Sequence, residues 1–235
     1  MKALIINGSP KGGASNTLVI ANAFADGFPE GTEVSTVTLK GMNIKPCAGC
    51  FSCWTKTPGE CIIKDDMAKI YEEIKSADII IESFPLFFFG LPSMMKAMTD
   101  RCLPFTQAYA GNVAAGGGSF HEIRDPKMEE KKLVVISTCG YVEPTAMYPA
   151  LEKEYDLIAG KGHYTKIFCP EGELFNAESC KKQVGAYLAY IKQAGHELAA
   201  FGKISEETMA QVNRPILSPK AFEMITQKHW SNLSK

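Results

Sequence analysis

The 235-residue sequence has almost no excess of charge of either sign. Its 25 lysine and arginine residues oppose 26 aspartate and glutamate residues, which gives a formal net charge of −1. A chain this close to neutrality has no strong field to draw it to nucleic acid or to an anionic membrane. Basic clusters interleaved with aromatic residues, which are typical of nucleic-acid binders, are also missing. We therefore expect neither nucleic acid nor a membrane among its partners.

Long apolar runs are missing as well. The apolar segment 3–6 at the start of the chain is short, and polar Asn7 follows it directly. A secretory signal needs a longer apolar core, and a membrane-spanning helix needs about 20 mostly apolar residues. We therefore expect the protein to be cytoplasmic.

The chain alternates predicted strands with predicted helices, and it contains no internal repeat. Such alternation predicts an α/β fold with a parallel sheet covered by helices on both faces. The predicted strands are 2–7, 33–39, 78–84, 132–138 and 163–169, and the predicted helices are 17–26, 65–76, 92–103 and 178–201. We expect one domain over residues 1–202, with a long loop at 106–130, and a C-terminal helical extension over residues 203–235.

Two common phosphate-binding motifs are absent. No loop ends in Gly-Lys-Ser/Thr, as an ATP-binding loop would, and the G-x-G-x-x-G dinucleotide fingerprint does not occur. Instead, the first strand runs into the polar loop GSPKGGASNT at residues 8–17, just before the first helix. The free N–H groups at a helix start attract anions. The loop therefore suits a terminal monophosphate better than a pyrophosphate, although a plain capped turn is the alternative.

A second loop of interest follows the third strand, with the sequence PLFFFGLP at residues 85–92. Strand ends in an open parallel sheet line the ligand crevice, and aromatic side chains there can stack on a flat ring system. Gly90 would let the backbone approach such a ring. The loop 138–141 after the fourth strand lies at the same sheet edge. The alternative is an ordinary cluster of core aromatics.

The eight cysteines fall into two sets. Four are scattered and are expected to be small buried residues, namely Cys102, Cys139, Cys169 and Cys180. The others form a compact C-x2-C-x2-C-x7-C group, namely Cys47, Cys50, Cys53 and Cys61. Four thiolates suit a [4Fe–4S] cluster or a structural zinc ion, and the closely spaced triple favours iron–sulfur. Four reduced thiols that hold no metal are the remaining alternative.

The two loops and the cysteine group together resemble the NADPH-dependent FMN reductase family and, within it, the iron–sulfur flavoproteins. The resemblance covers about residues 1–200 and rests on GSPKGGASNT, SFPLFFFGLPSMMKAMTDR and the four clustered cysteines. It implies a flavodoxin-like, doubly wound, five-stranded parallel sheet that binds FMN without a covalent bond. It also implies a homodimer or homotetramer.

The resemblance further implies the roles of individual residues. The FMN phosphate would contact Ser9, Lys11, Ser15, Asn16 and Thr17, and the isoalloxazine ring would contact Pro85, Leu86, Phe87, Phe88, Phe89, Gly90, Thr138, Gly140 and Tyr141. No catalytic side chain is assigned, because hydride transfer at flavin N5 depends mainly on alignment. The pair Asp100-Arg101 is expected to make a structural ion pair rather than to catalyse a reaction.

The sequence thus indicates an FMN-dependent oxidoreductase. The electron donor would be NAD(P)H or a reduced redox protein such as a ferredoxin. The acceptor would be a small molecule or a neighbouring [4Fe–4S] cluster. Two alternatives stay open at this point. One is a non-catalytic flavin and iron–sulfur electron carrier, and the other is a zinc-stabilised flavodoxin-like protein.

Overall fold

A computed structural model describes residues 1–108 and 121–233 of the chain. Five parallel strands form a single sheet, in the order β2-β1-β3-β4-β5. This is the strand order of flavodoxin-like domains, in which the order reverses between β1 and β3. The predicted doubly wound α/β fold is therefore confirmed. The central part of the predicted 106–130 loop lies outside the described residues.

The elements lie near their predicted positions, with one addition. The strands are β1 Lys2–Asn7, β2 Glu33–Thr38, β3 Ile79–Pro85, β4 Lys132–Thr138 and β5 Tyr164–Cys169. The helices are α1 Asn16–Ala25, α2 Met67–Ser76, α3 Ser93–Asp100, α4 Pro149–Ile158, α5 Lys181–Phe201, α6 Glu206–Val212 and α7 Pro219–Leu233. Helix α4 has no counterpart among the predicted elements.

Alternate residues along the central strands point to opposite faces of the sheet and pack in two separate cores. Ile5 of β1 and Ile81 of β3 pack with α1 and α5, whereas their neighbours Ile6 and Ile80 pack with α2, α3 and α4. Both faces of the sheet are thus apolar, which explains why the central strands are near-continuous apolar runs. Each fully buried isoleucine contributes about 1.5–3 kcal/mol relative to exposure. This burial holds the strand ends, and hence the loops that follow them, in fixed positions.

The C-terminal segment covers the chain's own core. Val212 at the end of α6 is buried in the core formed by α1 and α5. Phe222 of α7 packs in a third cluster with Leu174 and Val184. The proposed domain boundary at residue 202 stays a prediction, since α6 and α7 pack closely on the preceding helices.

None of the described helices combines the length and the apolar character that crossing a bilayer requires.

Candidate functional site

The loops after β1, β3 and β4 are hydrogen-bonded together at one edge of the sheet. The Gly8 amide donates to the Ser83 carbonyl at 2.9 Å, and the Leu86 amide donates to the Thr138 carbonyl at 2.8 Å. The hydroxyls of Thr17 and Thr138 also share a hydrogen bond of 2.7 Å. We call this carboxyl-terminal edge of the sheet the rim. Segments far apart in the sequence are thereby held in one place.

Asn7, the last residue of β1, organises the loop that follows it. Its side chain is fully buried. The side-chain amide donates to the Gly12 carbonyl at 2.9 Å, and its oxygen accepts the Ser9 amide at 3.1 Å. Gly12 has a φ of 60°, a conformation that favours glycine. Sequence reasoning assigned Asn7 to the strand and missed this role, although a polar residue that closes an apolar strand is a usable signal.

The start of helix α1 keeps unused donors. The Ser15 hydroxyl oxygen caps the helix by accepting the Leu18 amide at 3.2 Å. Among the hydrogen bonds of the described residues, none uses the backbone amides of Gly13, Asn16 or Thr17. Free amides at the positive end of a helix dipole are the donors that an anion requires.

The predicted phosphate-binding side chains have different surroundings. The hydroxyl oxygens of Ser9 and Ser15 each accept a backbone amide, so their own O–H protons stay available to a ligand. Lys11 is exposed. The Asn16 side chain donates to the Gly172 carbonyl at 2.8 Å, so it holds the loop after β5 against the start of α1. The residues are therefore at the same rim, but Asn16 and Thr17 offer mainly their backbone amides.

The aromatic loop after β3 is a strained tight turn. Phe87 and Gly90 exchange backbone hydrogen bonds of 3.1 and 3.0 Å. Between them, Phe88 and Phe89 have φ values of 48° and 66°, in the left-handed region that bulky residues avoid. Asn and Gly are the usual residues at these two positions of such a turn. Backbone strain of this kind, of order 1–3 kcal/mol per residue, clusters at functional sites.

The three phenylalanine rings are not part of the core. Phe87 and Phe89 are each nearly half exposed, and Phe88 is 100% exposed. The alternative of an ordinary core cluster is therefore wrong for this loop. Pro85 and Leu86, which precede the turn, are partly buried. The loop thus presents apolar surface at the same rim as the start of α1.

The loops after β4 and β5 complete the rim. Thr138 is buried, whereas Gly140 and Tyr141 are exposed. Burial raises the pKa of the Cys139 thiol, which contacts the Tyr141 carbonyl at 3.8 Å. A thiol with a raised pKa is a poor nucleophile, which fits a buried structural cysteine.

Glu171 links the rim to the C-terminal segment. It has a φ of 57° and is fully buried. Its Oε2 accepts the amides of Ile216 and Leu217 at 2.6 and 3.0 Å, and its own amide donates to the Tyr141 carbonyl at 3.1 Å. Burial raises the pKa of this carboxyl group. Sequence reasoning missed Glu171, because its partners lie 45 and 46 residues away.

The four clustered cysteines line one pocket, which also includes Arg101. We call it the cysteine pocket. The backbone between the cysteines turns sharply, since Gly49 and Phe51 have φ values of 62° and 50°. Cys53 is buried, and Cys47 and Cys61 are partly buried. The loop thus brings four thiols to one pocket, although the first and the last of them are 14 residues apart in the sequence.

The thiols differ in their surroundings. Hydrogen bonding to the Ser52 backbone lowers the pKa of the Cys50 thiol. Burial, together with the nearby Cys61, raises the pKa of the Cys53 thiol. Within residues 1–108 and 121–233, no three histidine, cysteine, aspartate or glutamate side chains are arranged as a ligand set for a metal ion. Ligation by the four thiols therefore stays a prediction, and their shared pocket and soft sulfur donors fit an iron–sulfur cluster.

Arg101 connects the two ends of the loop that carries the four cysteines. Its Nη1 donates to the Lys45 carbonyl at 2.8 Å, and its Nη2 donates to the Ile63 carbonyl at 3.4 Å. The guanidinium also makes a two-point ion pair with Asp65, at 2.7 and 3.0 Å, and both side chains are fully buried. Asp100 pairs instead with Lys96. Asp100 and Arg101 therefore each make an ion pair, but with Lys96 and Asp65 and not with each other.

The scattered cysteines are largely buried. Cys139, Cys169 and Cys180 are buried and Cys102 is partly buried, and all eight cysteines are free thiols. The prediction of small buried residues is confirmed for the first three.

Comparison with known proteins places the chain in a family. Residues 1–146 match the family model for NADPH-dependent FMN reductase, so the chain belongs to the NADPH-dependent FMN reductase family. An iron-sulfur flavoprotein of Methanocaldococcus jannaschii is 33% identical over 117 residues, which are 50% of this chain and 60% of that protein. An iron-sulfur flavoprotein of Archaeoglobus fulgidus is 28% identical over 165 residues, which are 67% of this chain and 74% of that protein. The predicted resemblance is confirmed, although the match to the first relative spans less than two thirds of its length.

Solved structures show the same fold. An FMN-dependent NADH-azoreductase of Bacillus anthracis in complex with FMN aligns with a TM-score of 0.59 at 16% identity, over 84% of this chain and 99% of that one. An NAD(P)H:quinone oxidoreductase of Methanothermobacter marburgensis aligns with a TM-score of 0.60 at 18% identity, over 84% and 96% of the two chains. At these identities the likeness shows the architecture.

Proposed function

We propose that the rim binds FMN and that the protein is an NAD(P)H-dependent FMN oxidoreductase. The observation that carries this proposal is the set of unused amides at the start of α1, held at the same edge as the aromatic turn 87–90. An anion site beside an apolar, aromatic surface suits a phosphorylated planar ring. The family membership of residues 1–146 supports the same assignment.

The residues at the rim would divide the work of binding. The amides of Asn16 and Thr17, with the hydroxyls of Ser9 and Ser15, would hold the phosphate, and Lys11 would add positive charge. The ring would lie against the loop 85–90 and against Thr138, Gly140 and Tyr141. Bound FMN supplies the exchange of a hydride or of single electrons. The aromatic turn would exclude water and align the reactants, which is what hydride transfer requires of the protein.

We also propose that Cys47, Cys50, Cys53 and Cys61 hold a [4Fe–4S] cluster. Their common pocket, which the buried guanidinium of Arg101 also lines, supports this assignment, because the sulfur atoms of an all-thiolate cluster accept hydrogen bonds. The partners would be NAD(P)H or a reduced redox protein such as a ferredoxin as donor, and a small molecule such as a quinone as acceptor.

Anaerobic purification tests both cofactors together. We expect about one FMN per chain, flavin absorption bands with a broad iron–sulfur shoulder, and NADPH oxidation that depends on added quinone. A colourless protein that takes up no FMN would end the proposal. Bound FMN without turnover of any small acceptor would instead favour an electron carrier.

Metal analysis of a matched pair of variants tests the cysteine pocket. Cys53→Ala should lose most of the iron, whereas Cys180→Ala, which removes another buried thiol from a hydrophobic cluster outside the pocket, should retain it. Zinc without iron after anaerobic preparation would exclude the [4Fe–4S] assignment in favour of a zinc site.

We infer that the protein is a cytoplasmic homodimer or homotetramer. Its eight free cysteines support a reducing compartment, and the exposed apolar side chains of Phe88 and Met224 support contacts between copies. Light scattering during size-exclusion chromatography measures the assembly. A mass of 25.7 kDa in solution would show a monomer.

A further inference from the structure

One side-chain nitrogen of Arg101, Nε, makes no hydrogen bond within the described residues. The two Nη atoms make all of the hydrogen bonds from the guanidinium to the ends of the cysteine loop and to Asp65. The Nε atom is also buried, yet within residues 1–108 and 121–233 it has no hydrogen-bond partner. A buried N–H donor without a partner costs about 1–3 kcal/mol, so such groups are rare in folded proteins. Arg101 also lines the cysteine pocket, so an occupant of that pocket is a candidate acceptor for this N–H group.

We propose that the Nε–H of Arg101 donates a hydrogen bond to a sulfur atom of the [4Fe–4S] cluster in the cysteine pocket and raises the cluster's reduction potential. The inference rests on the proposed cluster. Reduction adds one electron and increases the negative charge on the sulfur atoms. A fixed donor therefore stabilises the reduced cluster more than the oxidised one.

The effect of the proposed hydrogen bond can be distinguished from the effect of the positive charge of Arg101, because Asp65 lies beside that charge. Asp65 neutralises most of the charge of Arg101 through the two-point ion pair. The pair therefore offers the pocket mainly an oriented N–H group. Lysine would retain the positive charge at position 101 but lacks the planar fork and the Nε donor.

A redox titration of anaerobically reconstituted protein, followed by electron paramagnetic resonance, tests the inference. Arg101→Lys should lower the ratio of reduced to oxidised cluster about tenfold at a fixed applied potential, a shift of about 59 mV for a one-electron couple. Asp65→Asn should shift the potential in the opposite direction, because it removes a negative charge beside the cluster. A role limited to loop structure would not produce shifts of opposite sign.

Arg124→Lys is the matched control. Arg124 also holds the cysteine loop, since its Nη2 donates to the Cys53 carbonyl at 3.4 Å. Its Nε, however, donates to the Pro104 carbonyl at 3.2 Å, and Arg124 does not line the pocket. We expect this variant to keep the wild-type potential. Equal shifts for Arg101→Lys and Arg124→Lys, or an unchanged potential in Arg101→Lys, would overturn the inference.

A second measurement needs no change at position 101. Arginine labelled with ¹⁵N in the Arg124→Lys background should give a ¹⁵N hyperfine coupling to the reduced cluster, and its absence would refute the hydrogen bond. The outcomes separate the two proposals. Reconstituted wild-type protein without iron would refute the cluster itself, whereas an iron-loaded protein without the shift or the coupling would refute only the role of Arg101.

Discussion

The hydroxyl groups of Thr17 and Thr138 lie 2.7 Å apart, although 121 residues separate them in the sequence. Thr17 belongs to the first turn of α1, and Thr138 is the last residue of β4. Both are buried, with 1% and 5% of their surface exposed. This hydrogen bond joins the start of α1 to the end of β4.

Thr138→Val should destabilise the protein by about 1–3 kcal/mol, because it leaves the buried Thr17 hydroxyl without its partner. Valine matches threonine in volume, so little cavity is formed. The double variant Thr17→Val/Thr138→Val should recover most of the loss, since both polar groups are then gone. Urea unfolding of the wild type, the two single variants and the double variant measures this, and simple additivity of the two changes would contradict the coupling.

Ser15→Ala should reduce the affinity for FMN about tenfold while leaving the affinity for riboflavin, which lacks the phosphate, nearly unchanged. The hydroxyl caps α1, so the variant should also lose about 1 kcal/mol of stability. Ser205→Ala is a matched control, because Ser205 caps α6 through an equal 3.2 Å bond to the Thr208 amide. It should lose similar stability and bind FMN normally. Flavin fluorescence titration of the apoprotein gives the affinities, and a parallel loss for riboflavin would argue against a phosphate contact.

Phe88→Asn should increase the free energy of unfolding by about 0.5–1 kcal/mol while weakening flavin binding. Phe88 has a φ of 48° and is fully exposed, so asparagine relieves strain without loss of buried area. Phe201→Asn removes another exposed ring, at the end of α5, and should not stabilise the protein. Thermal unfolding of the flavin-free proteins makes the comparison. A Phe88 variant that is less stable than wild type would show that the turn is not strained.

Glu82→Gln should flatten the pH dependence of stability between about pH 4.5 and 7. Burial raises the pKa of Glu82 from 4.5 to about 7, next to the Tyr155 hydroxyl and with Glu154 nearby. The folded state therefore holds this proton over a range in which the unfolded state releases it, and stability falls as the pH rises through this range. The loss amounts to about 3 kcal/mol, at about 1.4 kcal/mol for each unit of the pKa shift.

Urea unfolding at pH 5 and pH 8 checks the assignment of Glu82. The variant and the wild type should be similar in stability at pH 5, and the variant should be the more stable of the two at pH 8. A change of the exposed Glu129 to glutamine should leave the wild-type slope intact. An unaltered slope in Glu82→Gln would show that another group titrates.

Patterns local to the sequence predicted most of the fold. The central strands are apolar on both faces, and their runs, such as 79–81, are recognisable without tertiary information. Helix α4 has no counterpart among the predicted elements, because only Leu151 and Tyr155 mark its buried face. The prediction therefore failed where the periodic signal was short.

The site was predictable in outline but not in its contacts. The polar loop and the aromatic loop were found from their places after strands. The pairing of Arg101 with Asp65 was not predicted, because 36 residues separate them and only the folded chain brings them together. The left-handed Phe88 and Phe89 were equally inaccessible, since residue propensity argues against such a conformation.

Glu171 accepts hydrogen bonds from the amides of Ile216 and Leu217, so the C-terminal segment supports the loop after β5 at the rim. Shortening the chain before residue 216 would strip a buried carboxylate of both donors and disturb its neighbour Tyr141 at the rim. Truncation before residue 216 is therefore also a change to the rim, and chains that retain residues 216 and 217 are the safer background for measuring flavin affinity.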